Sequence, residues 1–396
     1  MDTTTCRGFK WSGIQTGITK EQKKNLGLIW SDVPAAAAAV FTQNQVKAAP
    51  VLLDAERVKS GQCQAIIVNS GNANCCNGDQ GMADAVAMTT QTAKELGINE
   101  DLVMVASTGV IGAPLPMPAI KAAIPHAVQA LDGDRSQDFA ESIMTTDKFP
   151  KLITTRLEME NKKTASICAV AKGAGMIRPD MATMLCFICT DLEASAAFLS
   201  ESLRLAVKQS FNRITVDGDT STNDSVFIMA NGMSNTGIET PEARDRFQTV
   251  LNEILLRLAR MIVKDGEGAT KCVEVVVQGA ASDQDARRAA DTVADSSLVK
   301  TAIFGEDANW GRIMAALGRS GTTIDPERID ICFDDIQLVR NGLWTGSDAE
   351  LAAAKVLKKK EFKIIIDLKT GGKGTAAVLT CDLSLDYIKI NADYRS

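Results

Sequence analysis

The sequence predicts a mixed α/β (α+β) fold, and three features support this prediction. Short apolar segments of strand length alternate with longer segments of helical period, and glycine-rich or polar turns separate them. Apolar residues make up 45% of the 396 residues, which is enough for a sizeable core. Only 5% of the residues are aromatic, so we expect mostly aliphatic side chains in that core.

The individual elements follow from hydrophobic period and turn residues. Strands are predicted where short apolar runs end at turns, at 64–70, 102–106, 164–171, 183–188, 272–277, 363–368 and 376–383. Helices are predicted at 81–96, 195–211, 243–263 and 281–300, the last from its alanine-rich polar composition. Gly97 suits the C-terminal cap of the first helix. The length allows two domains, and we expect a main domain at 1–280 and a smaller C-terminal domain at 281–396.

Charge and hydropathy argue against two kinds of partner. The chain has 43 basic and 49 acidic residues, and the basic ones are scattered, so it lacks the basic patch that nucleic-acid binding requires. No apolar stretch approaches the roughly 18–20 residues of a membrane span. The first residues lack the basic and apolar regions of a signal peptide, so we expect a cytoplasmic protein.

The cysteines and acidic residues do not form a recognisable metal or cofactor motif. Most of the ten cysteines are scattered, and the pair Cys186 and Cys189 lacks the second pair of a zinc site. Segment 217–224 has the acidic spacing of a calcium loop, but Thr222 stands at its glycine position and Ile228 at its final acidic position. No GxGxxG motif follows a predicted strand. We therefore expect neither a metal nor a bound cofactor.

The segment 171–185 offers a nucleophile that needs no histidine. The chain has one histidine, His126, and neither a glycine-rich turn nor an acidic cluster surrounds it in the sequence. In 171–185 a strand leads into a glycine-rich turn, and Thr183 then opens the next strand directly after the small Ala182. One interpretation is an ordinary loop between strands, with Thr183 in a favourable β position. The other is cleavage before Thr183, since its freed α-amine, with a pKa of about 7.7–8.0, can serve as base for its own hydroxyl.

Several blocks spread over nearly the whole chain carry a family resemblance. They lie at 40–44, 48–51, 69–74, 107–112, 144–147, 149–151, 172–185, 215–224, 309–313 and 390–396. In these blocks the chain resembles the glutamate N-acetyltransferase / ornithine acetyltransferase family. It departs from the common pattern at Ala174, at Cys75-Cys76, at Arg178 and Asp180 beside the cut, and at Ser396, which replaces a threonine. The effect of these departures stays open.

The resemblance implies a self-cleaving protein with a layered fold. Family members have two β-sheets between helix layers, similar to the N-terminal-nucleophile hydrolases but connected differently. They cut themselves at the bond that matches Ala182–Thr183. The resemblance thus implies an α chain of 1–182 and a β chain of 183–396 that stay together, commonly as α2β2. It also implies that the C-terminal tail returns to the active site.

The resemblance also implies the reaction and its residues. Thr183 would take the acetyl group of N2-acetyl-L-ornithine and pass it to L-glutamate, in a ping-pong mechanism of arginine biosynthesis. The Thr108 hydroxyl and the Gly109 N–H match the oxyanion hole. The positions that match substrate contacts are Thr146, Lys172, Glu267, Asn391 and Ser396. A cation at Lys172 near Thr183 would help to keep the α-amine neutral.

Two other functions remain open from the sequence. The first is an N-terminal-nucleophile amidase or aminopeptidase, which would give the acyl group to water instead of glutamate. The second is an uncleaved, non-catalytic binding protein. Whether acetyl-CoA also serves as acetyl donor is not readable from any motif.

Overall fold

The structure is a computed structural model that describes residues 5–17, 23–159, 163–178 and 184–392. The chain forms two compact units. Unit 1 comprises residues 1–212 and 219–262, and unit 2 comprises residues 213–218 and 263–396. The predicted domain boundary at 280 lies inside unit 2, because the strand just before it pairs with later strands of that unit.

Unit 1 is built around one large sheet. Within the described residues its strands are β1 (Phe9–Ile14), β2 (Leu26–Phe41), β3 (Gln62–Asn72), β4 (Val103–Val110), β5 (Lys151–Glu158), β6 (Thr164–Lys172), β7 (Leu185–Thr190) and β8 (Ser225–Ala230). They lie in the order β4-β3-β2-β8-β7-β6-β5, with β1 also paired to β2. The helices are α1 (Ala49–Arg57), α2 (Gly78–Leu96), α3 (Met117–Gln129), α4 (Ser136–Ser142), α5 (Ala196–Gln209) and α6 (Pro241–Lys264), which ends just past the unit boundary.

The long strand β2 connects the two halves of this sheet. Its first half pairs with β1 and β3, and its second half pairs with β8. The register against β3 shifts between Trp30 and Ala35. Pro34 lies within that interval and has no N–H to give to a neighbouring strand, so the ladder is interrupted there.

The core of unit 1 contains an aromatic cluster that the composition did not predict. Trp11, Phe139, Phe187, Phe227 and Phe41 follow one another with ring centroids 5.3–5.7 Å apart. Aromatic pairs at such distances add about 0.5–1.5 kcal/mol each beyond their buried area. This cluster therefore adds to the stability of the sheet of unit 1, alongside the aliphatic side chains of its core.

Unit 2 has a sheet of its own. Its strands in the described residues are β9 (Cys272–Ala280), β10 (Asp330–Phe333), β11 (Ile336–Arg340), β12 (Leu343–Trp344), β13 (Glu361–Asp367) and β14 (Gly374–Cys381), in the order β12-β11-β10-β13-β9-β14. Its helices are α7 (Asp283–Ala294), α8 (Ser297–Phe304), α9 (Trp310–Gly318), α10 (Ser347–Leu357) and α11 (Leu385–Ala392). The buried face of β9 is formed by Val273, Val275 and Val277, and the alanines of α7 are buried in the same core.

The two sheets and their flanking helices confirm the predicted mixed α/β class. Six predicted strands overlap β3, β4, β6, β9, β13 and β14. The predicted strand at 183–188 corresponds to β7, although Thr183 itself lies outside the described residues. None of the helices in the described ranges combines the length and apolar character that crossing a membrane requires.

Candidate active site

The carboxyl end of β4 places Thr108 and Gly109 at an irregular point of the sheet. Thr108 is opposite Ser70 of the parallel strand β3, and the register is disturbed where Asn72 pairs with residues on both sides of Gly109. Gly109 has a φ of +134°, and a Cβ there would lie 2.3 Å from the Gly71 carbonyl carbon. Bulges of this kind turn backbone and side-chain groups away from the regular ladder. Only glycine fits this position.

Replacing Gly109 by alanine is expected to lower the free energy of unfolding by about 2 kcal/mol or more, since an unfavourable φ alone costs about 1–3 kcal/mol. The contact with β3 then adds to that cost. Gly112→Ala is the matched control, because Gly112 also has a positive φ, +78°, but has open space around its Cβ position. Urea denaturation of both variants measures the difference. Equal losses of stability would show that the close approach of β3 is unimportant.

Lys172 forms hydrogen bonds to two threonine side chains of the site, one of which is Thr108. It is the last residue of β6, and it is only 5% exposed. Its Nζ donates hydrogen bonds to Thr108 Oγ1 at 3.1 Å and to Thr145 Oγ1 at 3.0 Å. A buried cation therefore contacts the hydroxyl that the resemblance assigns to the oxyanion hole.

Asp147 is the acidic group of this cluster. Its Oδ1 accepts hydrogen bonds from Lys151 Nζ and from the Gly173 backbone N–H, both at 2.7 Å. Its Oδ2 accepts from the Thr145 N–H and lies 4.0 Å from Lys172 Nζ. Burial alone would raise the pKa of Asp147, but the charges of Lys172 and Lys151 and these hydrogen bonds hold it at about 2. The carboxylate is therefore ionised at any working pH.

Thr146 lies in the same bend as Thr145 and Asp147 and is half-buried. The resemblance singled out Thr146 for substrate contact. The hydroxyl that bonds Lys172 is that of its neighbour Thr145, which sequence reasoning did not single out.

Asn223 and Asp224, the two residues before β8, bind backbone groups next to Thr108 and at Met184. Asn223 Nδ2 donates to Ala73 O at 2.6 Å and to Ser107 O at 2.8 Å. Asp224 Oδ1 accepts from the backbone N–H of Met184 at 2.8 Å. Burial raises the pKa of Asp224 well above its usual value, and its Oδ2 has no hydrogen-bond partner among the described residues.

Unit 2 brings together Glu267 and Asn391. Glu267 is 6% exposed and its Oε2 accepts a hydrogen bond from Asn391 Nδ2 at 2.8 Å. Ser384 Oγ donates to the carbonyl of Gly268 at 2.6 Å, so the start of the terminal segment also contacts the turn after α6. Asn391 is thus held in a helix, α11, where fraying is the usual expectation for a terminus.

Comparison with known proteins identifies the family. The model of the ArgJ family matches residues 10–396. The chain belongs to the ArgJ family. This membership confirms the predicted family and the prediction of an enzyme of arginine biosynthesis in the glutamate N-acetyltransferase class.

Relatives of the chain match over nearly its whole length. An arginine biosynthesis bifunctional protein ArgJ from Geobacter sulfurreducens is 53% identical over 392 residues, covering 98% of this chain and 99% of that protein. A glutamate N-acetyltransferase from Methanocaldococcus jannaschii is 45% identical, covering 99% of this chain and 98% of that protein. A crystal structure of ArgJ from Bacillus halodurans has 44% identity and a TM-score of 0.49, and covers 52% of this chain and 97% of that chain.

The predicted site residues of this ArgJ family member fall into three groups. In unit 1, Thr108, Gly109 and Lys172 come together at the ends of β4 and β6. In unit 2, Glu267 and Asn391 are joined by a hydrogen bond. The predicted residues Ala182, Thr183 and Ser396 lie outside the described residues.

The cysteines and the histidine that the sequence analysis did not assign to catalysis have other positions in the structure. Cys186 and Cys189 are buried in β7, and burial raises the pKa of both thiols. Within the described residues, no three His, Cys, Asp or Glu side chains are grouped as metal ligands would be. His126 is exposed on α3.

Proposed function

We propose that this ArgJ family member is a self-cleaving acetyltransferase that moves acetyl from N2-acetyl-L-ornithine to L-glutamate, with Thr183 as nucleophile. The observation that carries this proposal is the Thr108–Gly109 bulge with Lys172 bonded to the Thr108 hydroxyl. A hydroxyl, a backbone N–H and a buried cation at one strand end suit a negative charge that develops on oxygen. The names of the relatives from Geobacter sulfurreducens and Methanocaldococcus jannaschii agree with this chemistry.

Self-cleavage supplies the catalytic base. One water molecule is consumed, and the Ala182–Thr183 amide is replaced by a carboxylate on Ala182 and an α-amine on Thr183. An α-amine with a pKa of about 7.7–8.0 is partly neutral near pH 7, so it can accept the proton of the Thr183 hydroxyl. This role for the amine agrees with the position of the only histidine in the sequence, which is exposed on α3.

Acetyl transfer then proceeds in two halves. Thr183 Oγ attacks the acetyl carbonyl carbon, its proton passes to the α-amine, and the oxyanion is stabilised by the Thr108 hydroxyl and the Gly109 N–H. The C–N bond breaks, the ornithine nitrogen takes the proton, and an acetyl ester remains on Thr183. The amine of glutamate attacks that ester, releases N-acetylglutamate and restores the threonine hydroxyl.

Substrate contacts are assigned by the same proposal. Thr146, Lys172, Glu267, Asn391 and Ser396 would contact the amino-acid substrates. Glu267 is a buried carboxylate, which suits the ammonium group of ornithine, and Asn391 orients it through the bond at 2.8 Å.

The sheet of unit 1 explains how the two fragments would stay together. β6 precedes the proposed cut and β7 follows it, and they pair as neighbouring antiparallel strands. β8 of the second fragment pairs with β2 of the first. Cleavage would leave these hydrogen bonds in place. We extend the proposal to an α2β2 assembly in the cytoplasm.

The function is tested by incubating purified protein with N2-acetylornithine and glutamate. We expect ornithine and N-acetylglutamate to form in equal amounts. Double-reciprocal plots of initial rate at several glutamate concentrations should give parallel lines, as for a ping-pong mechanism. Release of free acetate at a rate independent of glutamate would instead establish the amidase. An intact chain without transfer would favour the binding protein.

A second reaction, with acetyl-CoA and glutamate but without acetylornithine, tests whether acetyl-CoA is also an acetyl donor. The relative from Geobacter sulfurreducens is named bifunctional, and this arm asks whether the same holds here. Formation of N-acetylglutamate would show that acetyl-CoA also acetylates the enzyme.

A further inference from the structure

We infer that Asp147, anchored by Lys151, positions Lys172 so that its ammonium group polarises the Thr108 hydroxyl and directs that hydroxyl's hydrogen toward the developing oxyanion. This inference rests on the proposed function and assigns positioning roles to Asp147 and Lys151. Both side chains are fully buried, and neither carries a role in the reaction as proposed above.

The direction of the Lys172–Thr108 hydrogen bond follows from the chemistry of its two groups. An ammonium group can only donate, whereas a hydroxyl has one hydrogen to donate and two lone pairs to accept. Since Lys172 Nζ lies 3.1 Å from Thr108 Oγ1, the hydroxyl must accept in this contact. Its own hydrogen is then available for another acceptor. Accepting from a cation also makes the hydroxyl a stronger donor, because hydrogen bonds in a chain polarise one another.

The position of Lys172 is fixed from two sides by one carboxylate. Asp147 Oδ1 accepts from the N–H of Gly173, the residue directly after Lys172. Asp147 Oδ2 accepts from the N–H of Thr145, the residue whose hydroxyl takes the second hydrogen bond of Lys172. Asp147 therefore holds the backbone beside the lysine and the backbone of the lysine's second partner.

Lys151 fixes the carboxylate in turn. Its Nζ donates to Asp147 Oδ1 at 2.7 Å, and both side chains have no exposed surface. Lys151 and Lys172 thus lie on either side of one buried carboxylate, and Lys172 also contacts Thr108. A developing oxyanion at Thr108 is a charge that an ammonium group in this position would stabilise.

The test compares wild-type enzyme with Asp147→Asn and with Asp147→Asn/Lys151→Met. The readout is kcat and KM per cleaved chain as a function of pH. We expect kcat to fall roughly tenfold or more, because the polarised Thr108 hydroxyl acts on the transition state. We also expect the loss of activity at alkaline pH to begin at a lower pH than in wild type, because the substitution removes the negative charge 4.0 Å from Lys172 Nζ that favours the protonated lysine.

Asp54→Asn is the matched control. Asp54 is a fully buried carboxylate of the same unit, and its oxygens accept from the Val105 N–H on β4. The substitution removes a buried carboxyl group next to β4, the strand that carries Thr108, and leaves the contacts of Lys172 unchanged. We expect the alkaline limb of the kcat–pH profile of this control to lie at the same pH as in wild type.

Each outcome decides the inference. If Asp147→Asn fails to fold, the double variant carries the test, because it removes both partners of the buried pair. A folded double variant with wild-type kcat and an unmoved alkaline limb would overturn the inference, as would an equal shift in Asp54→Asn. Wild-type protein without acetyl transfer would overturn the proposed function and this inference together. Wild-type transfer with unaltered variants would overturn the inference alone.

Discussion

Thr183→Ala is expected to remain a single chain of 42.2 kDa and to show no acetyl transfer. In the proposed mechanism the substitution removes the hydroxyl that would attack the Ala182 carbonyl, so the chain would stay intact and the α-amine would not form. It also removes the group that would carry the acetyl ester. Removing the nucleophile of a comparable covalent mechanism costs on the order of 10⁶ in kcat. We therefore expect activity below detection.

The measurement is the intact mass of denatured protein, followed by sequencing of the C-terminal fragment. Wild-type protein should give two fragments, the second beginning at Thr183. Thr183→Ser is the control, because it keeps a hydroxyl and an α-amine and should still cleave and transfer at a reduced rate. A single uncut wild-type chain with full transfer activity would contradict the α-amine as base. Cleavage at another bond would move the nucleophile elsewhere.

Hydrophobic period was enough to predict much of the fold, because most elements bury one continuous face. The helix at 243–263 corresponds to α6 with its ends within two residues, since Phe247, Leu251, Leu255 and Leu258 lie on one buried side. The predicted helix at 281–300 is instead two helices, α7 and α8, because the chain turns at 295–296. Ser296 caps α8 through its hydroxyl and the Val299 N–H. That N-cap signal was readable in the sequence.

Strand β2 shows where local pattern is insufficient. Its second half contains the alanine run 35–39, and alanine has little preference for strands. The run is extended because it pairs along its length with β8, which lies almost two hundred residues later. A partner at that distance leaves no trace in the local sequence, so only the folded sheet reveals the strand.

Part of the candidate site could likewise be predicted from the sequence, and part could not. Thr108, Gly109 and Lys172 were assigned through the family resemblance, and the structure adds the reason for Gly109 in the close approach of β3. Asp147 and Lys151 were part of the matching blocks but received no role. Their spacing of four residues is ordinary in sequence, and it becomes informative only because both side chains are completely buried. Burial of a charged pair is a property of the fold and cannot be read from the residue types.

Thr108→Val should lower kcat for acetyl transfer by about 10²–10³, the usual cost of losing one oxyanion-hole donor. Valine keeps the volume of threonine at a position that is 9% exposed, so the packing at the end of β4 is retained. The hydroxyl is lost both as donor to the oxyanion and as acceptor for Lys172 Nζ. The proposed self-cleavage would pass through an oxyanion on the Ala182 carbonyl, and cleavage would also slow if the same hole serves it.

So that slower cleavage does not lower the apparent kcat, the activity of Thr108→Val is expressed per mole of cleaved chain, which intact mass provides. Thr108→Ser restores the hydroxyl and should recover activity to within about tenfold of wild type, whereas valine should not. Since Lys172 keeps its bond to Thr145 in both variants, the difference between serine and valine isolates the hydroxyl itself. A valine variant within a few-fold of wild type would show that the Thr108 hydroxyl does not stabilise the oxyanion, and Lys172 would then have to act on the substrate directly.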